Sequence, residues 1–308
     1  MKILLFVDKL FGGGAERVAS ILLNHLHEKH DVTIYIFNDK EQTYPLNSHI
    51  QIHKISINSK LRILHPIERI KKIRKAISIN NPDLTISFLV ELNIFTTIAN
   101  CFTHKQLILS EQTSIQAKQP LLKWLARHII YRLASKVVFV SESDYNYAKW
   151  LKNKTYIYNP LSCPIFTDNA EREKTIVAIG PQRRWHVKGF DMLIQAWAKI
   201  APLHPDWKLQ FIGTNDDNTI CNLTKNFGIE KQVEFLGWTD EIDKVLRTKS
   251  IYALSSRREG FPCSLIEAMS QGCACVAFNC KTGPNEIITD SDNGLLVLNG
   301  DIEIGRAH

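Results

Sequence analysis

Glu259 and Glu267 frame the segment Ser255-Ser256-Arg257-Arg258-Glu259-Gly260-Phe261-Pro262-Cys263-Ser264-Leu265-Ile266-Glu267-Ala268-Met269, which follows the apolar run IYALS. Gly260 and Pro262 demand a turn, and a helix starting near Ser264 presents unbonded backbone amides to an anion. Glu259 then projects from the turn and Glu267 from the first helical turn, so the two carboxylates can reach different hydroxyls of one extended ligand. Ser264 and Glu267 also have the S-x-x-E spacing of a capping box, which offers Glu267 a purely structural role. Glu259 has no such alternative.

A matching set of cations lies earlier. The run TIVAIG leads into PQRRWHVKGFDMLIQAW, where Arg183, Arg184 and Lys188 precede a helix beginning near Gly189. Arg183 and Lys188 can point at a diphosphate and neutralise the charge that grows on a departing nucleotide. Arg184 can take the place of Arg183, and a solvated basic loop is the plainer reading. Near the N-terminus, Phe11-Gly12-Gly13-Gly14-Ala15-Glu16-Arg17 follows the first apolar run and opens a helix. Gly13 and Gly14 allow a close backbone approach to a ligand, although a tight strand-to-helix turn needs the same residues. The spacing is neither the GK[ST] phosphate loop nor GxGxxG.

Metal chemistry finds little support. Asp216 and Asp217 in GTNDDN lack the D-x-D alternation that would hold a divalent ion, and read as turn residues. Cys263, Cys273, Cys275 and Cys280 have no common zinc spacing. The seven cysteines of the chain fit buried apolar positions in a reducing cytoplasm rather than a disulfide framework.

The elements that must position these residues are legible as short apolar runs alternating with helical patterns. KILLFV, VTIYIF, LTISF, QLILS and KVVFV occupy the first half, and TIVAIG, KLQFIG, VEFLG, IYALS and CVAFN the second. This predicts an α/β chain with two parallel sheets. NPLSCPIFTDNAEREK, from Asn159 to Lys174, has neither period and reads as the linker. The expected domains are 1–165 and 166–308, two Rossmann-like units facing a cleft, with ligands beyond the carboxyl ends of the strands.

Charge is uneven. Of the 308 residues, those through 170 contain 22 Lys+Arg against 13 Asp+Glu, although the whole chain is only +7. The basic half predicts an anionic partner. Lys60 to Lys75 contains seven cations and one acid, Glu68. There Ile67, Ile70, Ile73 and Ile77 form a stripe expected to be core, leaving Arg69, Lys71, Lys72 and Lys75 for solvent or acidic lipid head groups. KQPLLKWLARHIIYRLASK, Lys118 to Lys136, mixes cations with Trp124, Leu125 and Tyr131 and reads equally as an interfacial helix or an ordinary packed one. The apolar run at the N-terminus is too short for a signal peptide or span. No stacking platform or reading motif for nucleic acid is present, and none is expected as a partner.

The pieces GGGAERV, the basic loop ending in KGFD, the two glutamates of EGFPCSLIE, TGPNEII and NGLLV occur in the order found in the family 4 retaining glycosyltransferases, which the chain resembles up to about Val297. That resemblance implies the GT-B fold and a metal-independent transfer with retained configuration, in which the leaving phosphate takes the acceptor proton during same-face attack. Arg183 and Lys188 would hold the donor diphosphate, Glu259 would meet sugar hydroxyls, and Glu267 the nucleotide ribose. Amides around Phe261, Ser264 and Leu265 would assist, while Gly13 and Gly14 would close over the donor. Pro181 stands where the family has Arg, and Glu111 where many members have His. GDIEIGRAH departs from the family too, which implies truncated C-terminal helices and apolar surface where they would pack.

The expectation is therefore a cytoplasmic enzyme at the inner face of the plasma membrane. It would move a hexose or N-acetylhexosamine from a UDP-sugar or other nucleotide sugar to a lipid-linked or surface-polysaccharide glycan at an anionic membrane surface, without a cofactor. The alternatives are a GT-B epimerase or phosphorylase, or an inactive nucleotide-sugar-binding protein.

Overall fold

The computed structural model describes all residues but 38–43, 60, 104, 168–170, 216–217 and 304–308, with backbone alone for Arg62, Leu122 and Asn218. Asp216, Asp217, Lys60 and the last five residues thus lie outside the described residues. The chain forms two compact units, Met1–Pro160 and Leu161–His308.

In the first unit the elements are β1 (Lys2–Val7), α1 (Gly14–Leu26), β2 (Asp31–Ile36), β3 (Gln51–Lys54), α2 (His65–Asn80), β4 (Leu84–Phe88), α3 (Val90–Asn100), β5 (Gln106–Glu111), α4 (Leu121–Ile130), β6 (Lys136–Phe139), α5 (Glu142–Tyr147) and β7 (Lys154–Tyr156). The strands pair in parallel in the order β3-β2-β1-β4-β5-β6-β7. Helices cover both faces of such a sheet, so central strands read as continuous apolar runs. Of β1, Ile3 to Val7 are all buried. Leu4 and Phe6 meet Ile73, Ala76 and Ile77 of α2 and Leu92 of α3 in one cluster. Ile67 is the exception to the predicted stripe: it is 51% exposed, because the stripe turns away from the sheet at the first turn of α2.

The second unit runs β8 (Glu173–Ile179), α6 (Phe190–Ile200), β9 (Lys208–Ile212), α7 (Asn218–Asn226), β10 (Val233–Phe235), α8 (Ile242–Arg247), β11 (Lys249–Leu254), α9 (Cys263–Ser270), β12 (Ala274–Asn279), α10 (Pro284–Ile287) and β13 (Leu295–Leu298). Its sheet is also parallel, ordered β10-β9-β8-β11-β12-β13. Two clusters sandwich it: Tyr252, Leu254, Leu265 and Ala268 with their neighbours, and Phe190, Ile194, Trp197 and Phe211 with theirs.

The segment read as a linker is more structured than its composition suggests. Residues 162–166 are tied to α9: Phe166 donates its amide to the Ser270 carbonyl at 2.8 Å, and Gln271 Nε2 reaches the Pro164 carbonyl at 2.7 Å. Glu173 and Lys174 already belong to β8. Among the described residues, no helix is long and apolar enough to cross a membrane.

Candidate functional site

In the second sheet, β8 and β11 are neighbours while the chain order departs from them in opposite directions. That is the topological switch point, where loops diverge and leave a crevice beyond the carboxyl ends. The loops that diverge there are 180–189 and 255–262, the two predicted from the sequence to carry chemistry.

They are joined closely. Gly189 adopts φ +66°, and a Cβ on it would come within 1.9 Å of the Ser255 carbonyl oxygen. Only glycine permits that approach. Ser255 Oγ donates to the Lys188 carbonyl at 2.8 Å, and the Arg257 amide donates to the Val187 carbonyl at 2.9 Å. Arg257 also forks onto Asp191 at the start of α6, with Nη1–Oδ1 2.7 Å and Nη2–Oδ2 2.6 Å. This bidentate pair is the strongest polar geometry available to such side chains.

The seam brings Lys188 and Glu259 together. Lys188 Nζ lies 2.8 Å from Glu259 Oε1, with the two side chains only 14% and 12% exposed. Ser256 Oγ donates to the same oxygen at 2.6 Å, and Thr282 Oγ1 donates to the Glu259 backbone carbonyl. Burial pushes the carboxyl pKa up, but the charge and hydrogen bond of Lys188, with Ser256 and the Arg184 charge, outweigh it and hold Glu259 below the usual carboxylate range. Glu259 therefore stays ionised. Its other oxygen, Oε2, accepts no hydrogen bond among the described residues, and the side chain as a whole keeps 12% of its surface exposed.

Gly180 matters for a different reason: a Cβ there would meet Lys188 Cγ at 2.7 Å, so the lysine stem lies across the end of β8. Arg183 and Arg184 sit on a short 3₁₀ turn and are exposed, and Arg183 lines a shallow depression with Pro181, Gln182 and Trp185. The Arg184 charge is among those that lower the Glu259 pKa.

On α9 the capping box fails. The helix begins at Cys263 with Pro262 as its cap, and no side chain caps it. Ser264 lies inside the first turn and its hydroxyl pairs with the Tyr252 hydroxyl at 2.7 Å. Glu267 lies two residues too deep to reach back; it is 5% exposed and accepts a hydrogen bond from Ser162 Oγ. The Leu265 side chain is fully buried, and its amide donates to the Pro262 carbonyl at 2.9 Å. Phe261 is half-buried at the turn.

Ser256, Thr282 and the Asp191–Arg257 pair were not singled out by sequence reasoning. The signal for Thr282 was present in TGPNEII: Gly283, at φ +94°, lets that loop close on Pro262 and Gly260, since a Cβ would come within 2.6 Å of Pro262 Cδ.

The first sheet has its own switch point between β1 and β4. Gly12 takes φ +71°, Gly13 caps α1 in an extended conformation, and Gly14 opens the helix. The buried Glu16 returns against Gly13 and lies 3.5 Å from Lys9. Across the switch, Leu89 has φ +72°, a strained value for a branched side chain and invisible in the sequence. Glu111 makes no approach to the surface. It is fully buried and takes hydrogen bonds from Thr113 Oγ1 (2.8 Å), Arg127 Nε (3.1 Å) and Tyr131 OH (2.6 Å), with Arg127 Nη2 at 3.0 Å. It fastens β5 to α4. Among the described residues, no group of three His, Cys, Asp or Glu side chains is placed to hold a metal ion.

Residues 12–161 match the family model Glycosyltransferase Family 4, and residues 164–304 match Glycosyl transferases group 1. The chain is 29% identical to the amylovoran biosynthesis glycosyltransferase AmsD of Erwinia amylovora, over 94% of this chain and 84% of that protein. It is also 29% identical to a Campylobacter jejuni alpha-1,4-N-acetyl-D-galactosaminyltransferase named for a diNAcBac-PP-undecaprenol-linked substrate, over 96% and 84%. Among solved structures, HepE from Anabaena in complex with UDP-glucose superposes with a TM-score of 0.78 at 18% identity, covering 99% of this chain and 87% of that one. At that identity the likeness shows the GT-B fold.

Proposed function

Since the chain is a glycosyltransferase of GT-B type, its halves matching two glycosyltransferase domain models, we propose that it transfers a hexose or N-acetylhexosamine from a nucleotide sugar, UDP-sugars first among them, to a lipid-linked or surface-polysaccharide glycan. The observation that carries this reading is the Lys188–Glu259 pair at the switch point of the second sheet. A lysine there can share its protons between Glu259 and a diphosphate oxygen, neutralising negative charge as the nucleotide departs. Glu259, kept ionised, is an acceptor for hydroxyls of the transferred sugar, and Oε2, which accepts no hydrogen bond among the described residues, is the oxygen proposed to meet them. Arg183 and Arg184 add positive charge on the adjoining turn. A ribose hydroxyl reaches Glu267 by displacing or joining Ser162, while the amides around Phe261, Ser264 and Leu265 form the turn beside it. The loop at Gly13 and Gly14 belongs to the acceptor-binding unit in this proposal.

The transfer is proposed to be metal-independent and to retain the anomeric configuration, with the leaving phosphate accepting the acceptor proton. Support for the donor and acceptor classes comes from relatives named for amylovoran biosynthesis and for a diNAcBac-PP-undecaprenol-linked substrate, and from the UDP-glucose complex of a protein sharing the fold. The proposed setting is the cytoplasmic face of the plasma membrane. Incubation with a panel of UDP- and GDP-sugars and polyprenyl-diphosphate glycans, in the presence and absence of EDTA, should release nucleotide and give a product whose anomeric configuration by NMR matches the donor. No nucleotide release from any donor, or release only with added metal, would overturn the corresponding part.

A further inference from the structure

Helix α4 is amphipathic in an inverted sense. The face it turns to the protein carries Arg127, 4% exposed and bonded to the buried Glu111, and continues into Tyr131, 1% exposed. The face it turns outward is apolar: Leu121, Leu125, Ile129 and, in the following 3₁₀ turn, Leu133 are 71%, 40%, 63% and 62% exposed, with Trp124 beside them at 42%. Their spacing of four residues makes one continuous stripe, about 18 Å long at the helical rise. An ordinary surface helix does the opposite, and a contiguous exposed apolar strip marks an interaction surface.

Charge around the stripe selects the partner. Lys118 before the helix and Arg132 and Lys136 after it are exposed, and none of their side chains is hydrogen-bonded or ion-paired to another described residue. The other basic segment is largely committed elsewhere. Arg69 pairs with Asp8 at 3.3 Å, Lys72 with Glu68 at 2.7 Å, and Arg74 donates to carbonyls at the end of α3, leaving Lys71 and Lys75 among the described cationic side chains of that segment. A stripe of leucine and isoleucine between uncommitted cations fits a planar surface that is apolar beneath and anionic at the head groups.

We propose that α4 is the membrane-docking element of this chain, lying parallel to an anionic phospholipid surface with Leu121, Leu125, Ile129 and Leu133 among the acyl-chain ends and Lys118, Arg132 and Lys136 at the head groups. It gives a physical surface to the lipid-linked acceptor proposed above, and rests on that reading for its purpose only. Arg127, held by Glu111, fixes which face points outward.

The test is flotation of the full chain with vesicles of phosphatidylcholine alone or phosphatidylcholine with one quarter phosphatidylglycerol. Binding should need the anionic lipid and weaken with salt. Leu125→Ser with Ile129→Ser should lower partition at least tenfold, and Arg132→Ser with Lys136→Ser by about thirtyfold, since each cation near such a surface is worth about fivefold. Because these positions are exposed, the thermal shift given by a nucleotide sugar should be unchanged in both variants. That readout fails independently if the donor reading is wrong. Brominated lipids should quench the wild-type tryptophan emission, and Trp124→Phe should remove most of the quenching. No binding to anionic vesicles, unaltered binding by both double variants, or sedimentation showing a dimer that the apolar variant dissociates would overturn the proposal, the last in favour of a second copy of the chain.

Discussion

Glu259 is the residue whose chemistry depends most on its surroundings, because one oxygen is held by Lys188 and Ser256 while the other accepts no hydrogen bond among the described residues. Glu259→Gln keeps the side-chain shape but removes the charge and the ion pair. We expect a fall of about 10²- to 10³-fold in kcat, the scale of losing one stabilising group in the transition state, with a loss of melting temperature smaller than that of Lys188→Ala, because the amide oxygen of the Gln side chain still accepts from Lys188. Lys188→Ala should show the opposite balance between activity and stability. It leaves a mostly buried carboxylate unpaired, which costs about 3–5 kcal/mol, so thermal melting should fall together with transfer. Comparing melting and kcat for the two variants separates the roles, and equal melting losses would argue against them. Asp144 offers a second residue-level test. Its carboxyl accepts from Ser114 Oγ, the Ile115 amide and Gln116 Nε2, yet burial raises its pKa from 3.8 to about 6. The folded chain thus holds a proton that the unfolded chain releases, so this contribution is fullest below pH about 4 and is lost as pH rises to about 6. The full linkage is about 3 kcal/mol. The stability difference between wild type and Asp144→Asn should change across that window and be flat above it, as measured by urea unfolding at a series of pH values. A constant difference from pH 4 to 7 would dismiss the raised pKa.

At the scale of elements, the catalytic proposal rests on a seam of two loops. Gly189→Ala tests the seam without touching a ligand group: the new Cβ meets the Ser255 carbonyl at 1.9 Å, and the φ of +66° is left-handed. We expect a loss of about 1–3 kcal/mol and a drop in kcat, because Lys188 and Glu259 are displaced relative to one another. Stability unchanged in chemical denaturation would mean that the loops are not held as described. The glycine was legible in KGFD, but its reason was not, since the approach to Ser255 joins residues 66 positions apart. A similar limit governs the strands. Every central strand was legible as an apolar run, whereas β3, β7 and β13 were not, and all three are sheet edges. An edge strand has fewer covered neighbours and no need of a continuous apolar run, and the four residues of β3 are all exposed. Likewise, S-x-x-E spacing suggested a cap at Ser264 and Glu267. What decided otherwise was Pro262, which starts the helix two residues earlier and leaves the Ser264 hydroxyl to Tyr252.

For the whole molecule, the two units differ in charge and in what their switch points hold. The alternation of runs and the order of the motifs made the two-sheet architecture legible, because each half must bury its own apolar strands. The contents of the first switch point were not: Leu89 owes its φ of +72° to its place between β4 and α3, and Glu111 is sealed in by Arg127 and Tyr131. These differences predict where a donor should register. At about one hundred times its dissociation constant, a ligand adds about 2.7 kcal/mol to the state that binds it. A nucleotide sugar should therefore stabilise the full chain by that amount. Its hydrogen-exchange protection should concentrate in residues 180–189 and 255–264, the loops beyond β8 and β11, with Glu259→Gln and Lys188→Ala weakening both effects. Protection confined to the Gly12–Gly14 loop and the start of α3 would instead assign the donor to the first switch point, and with it the charge on the departing nucleotide to Lys9 and Arg69 rather than Lys188.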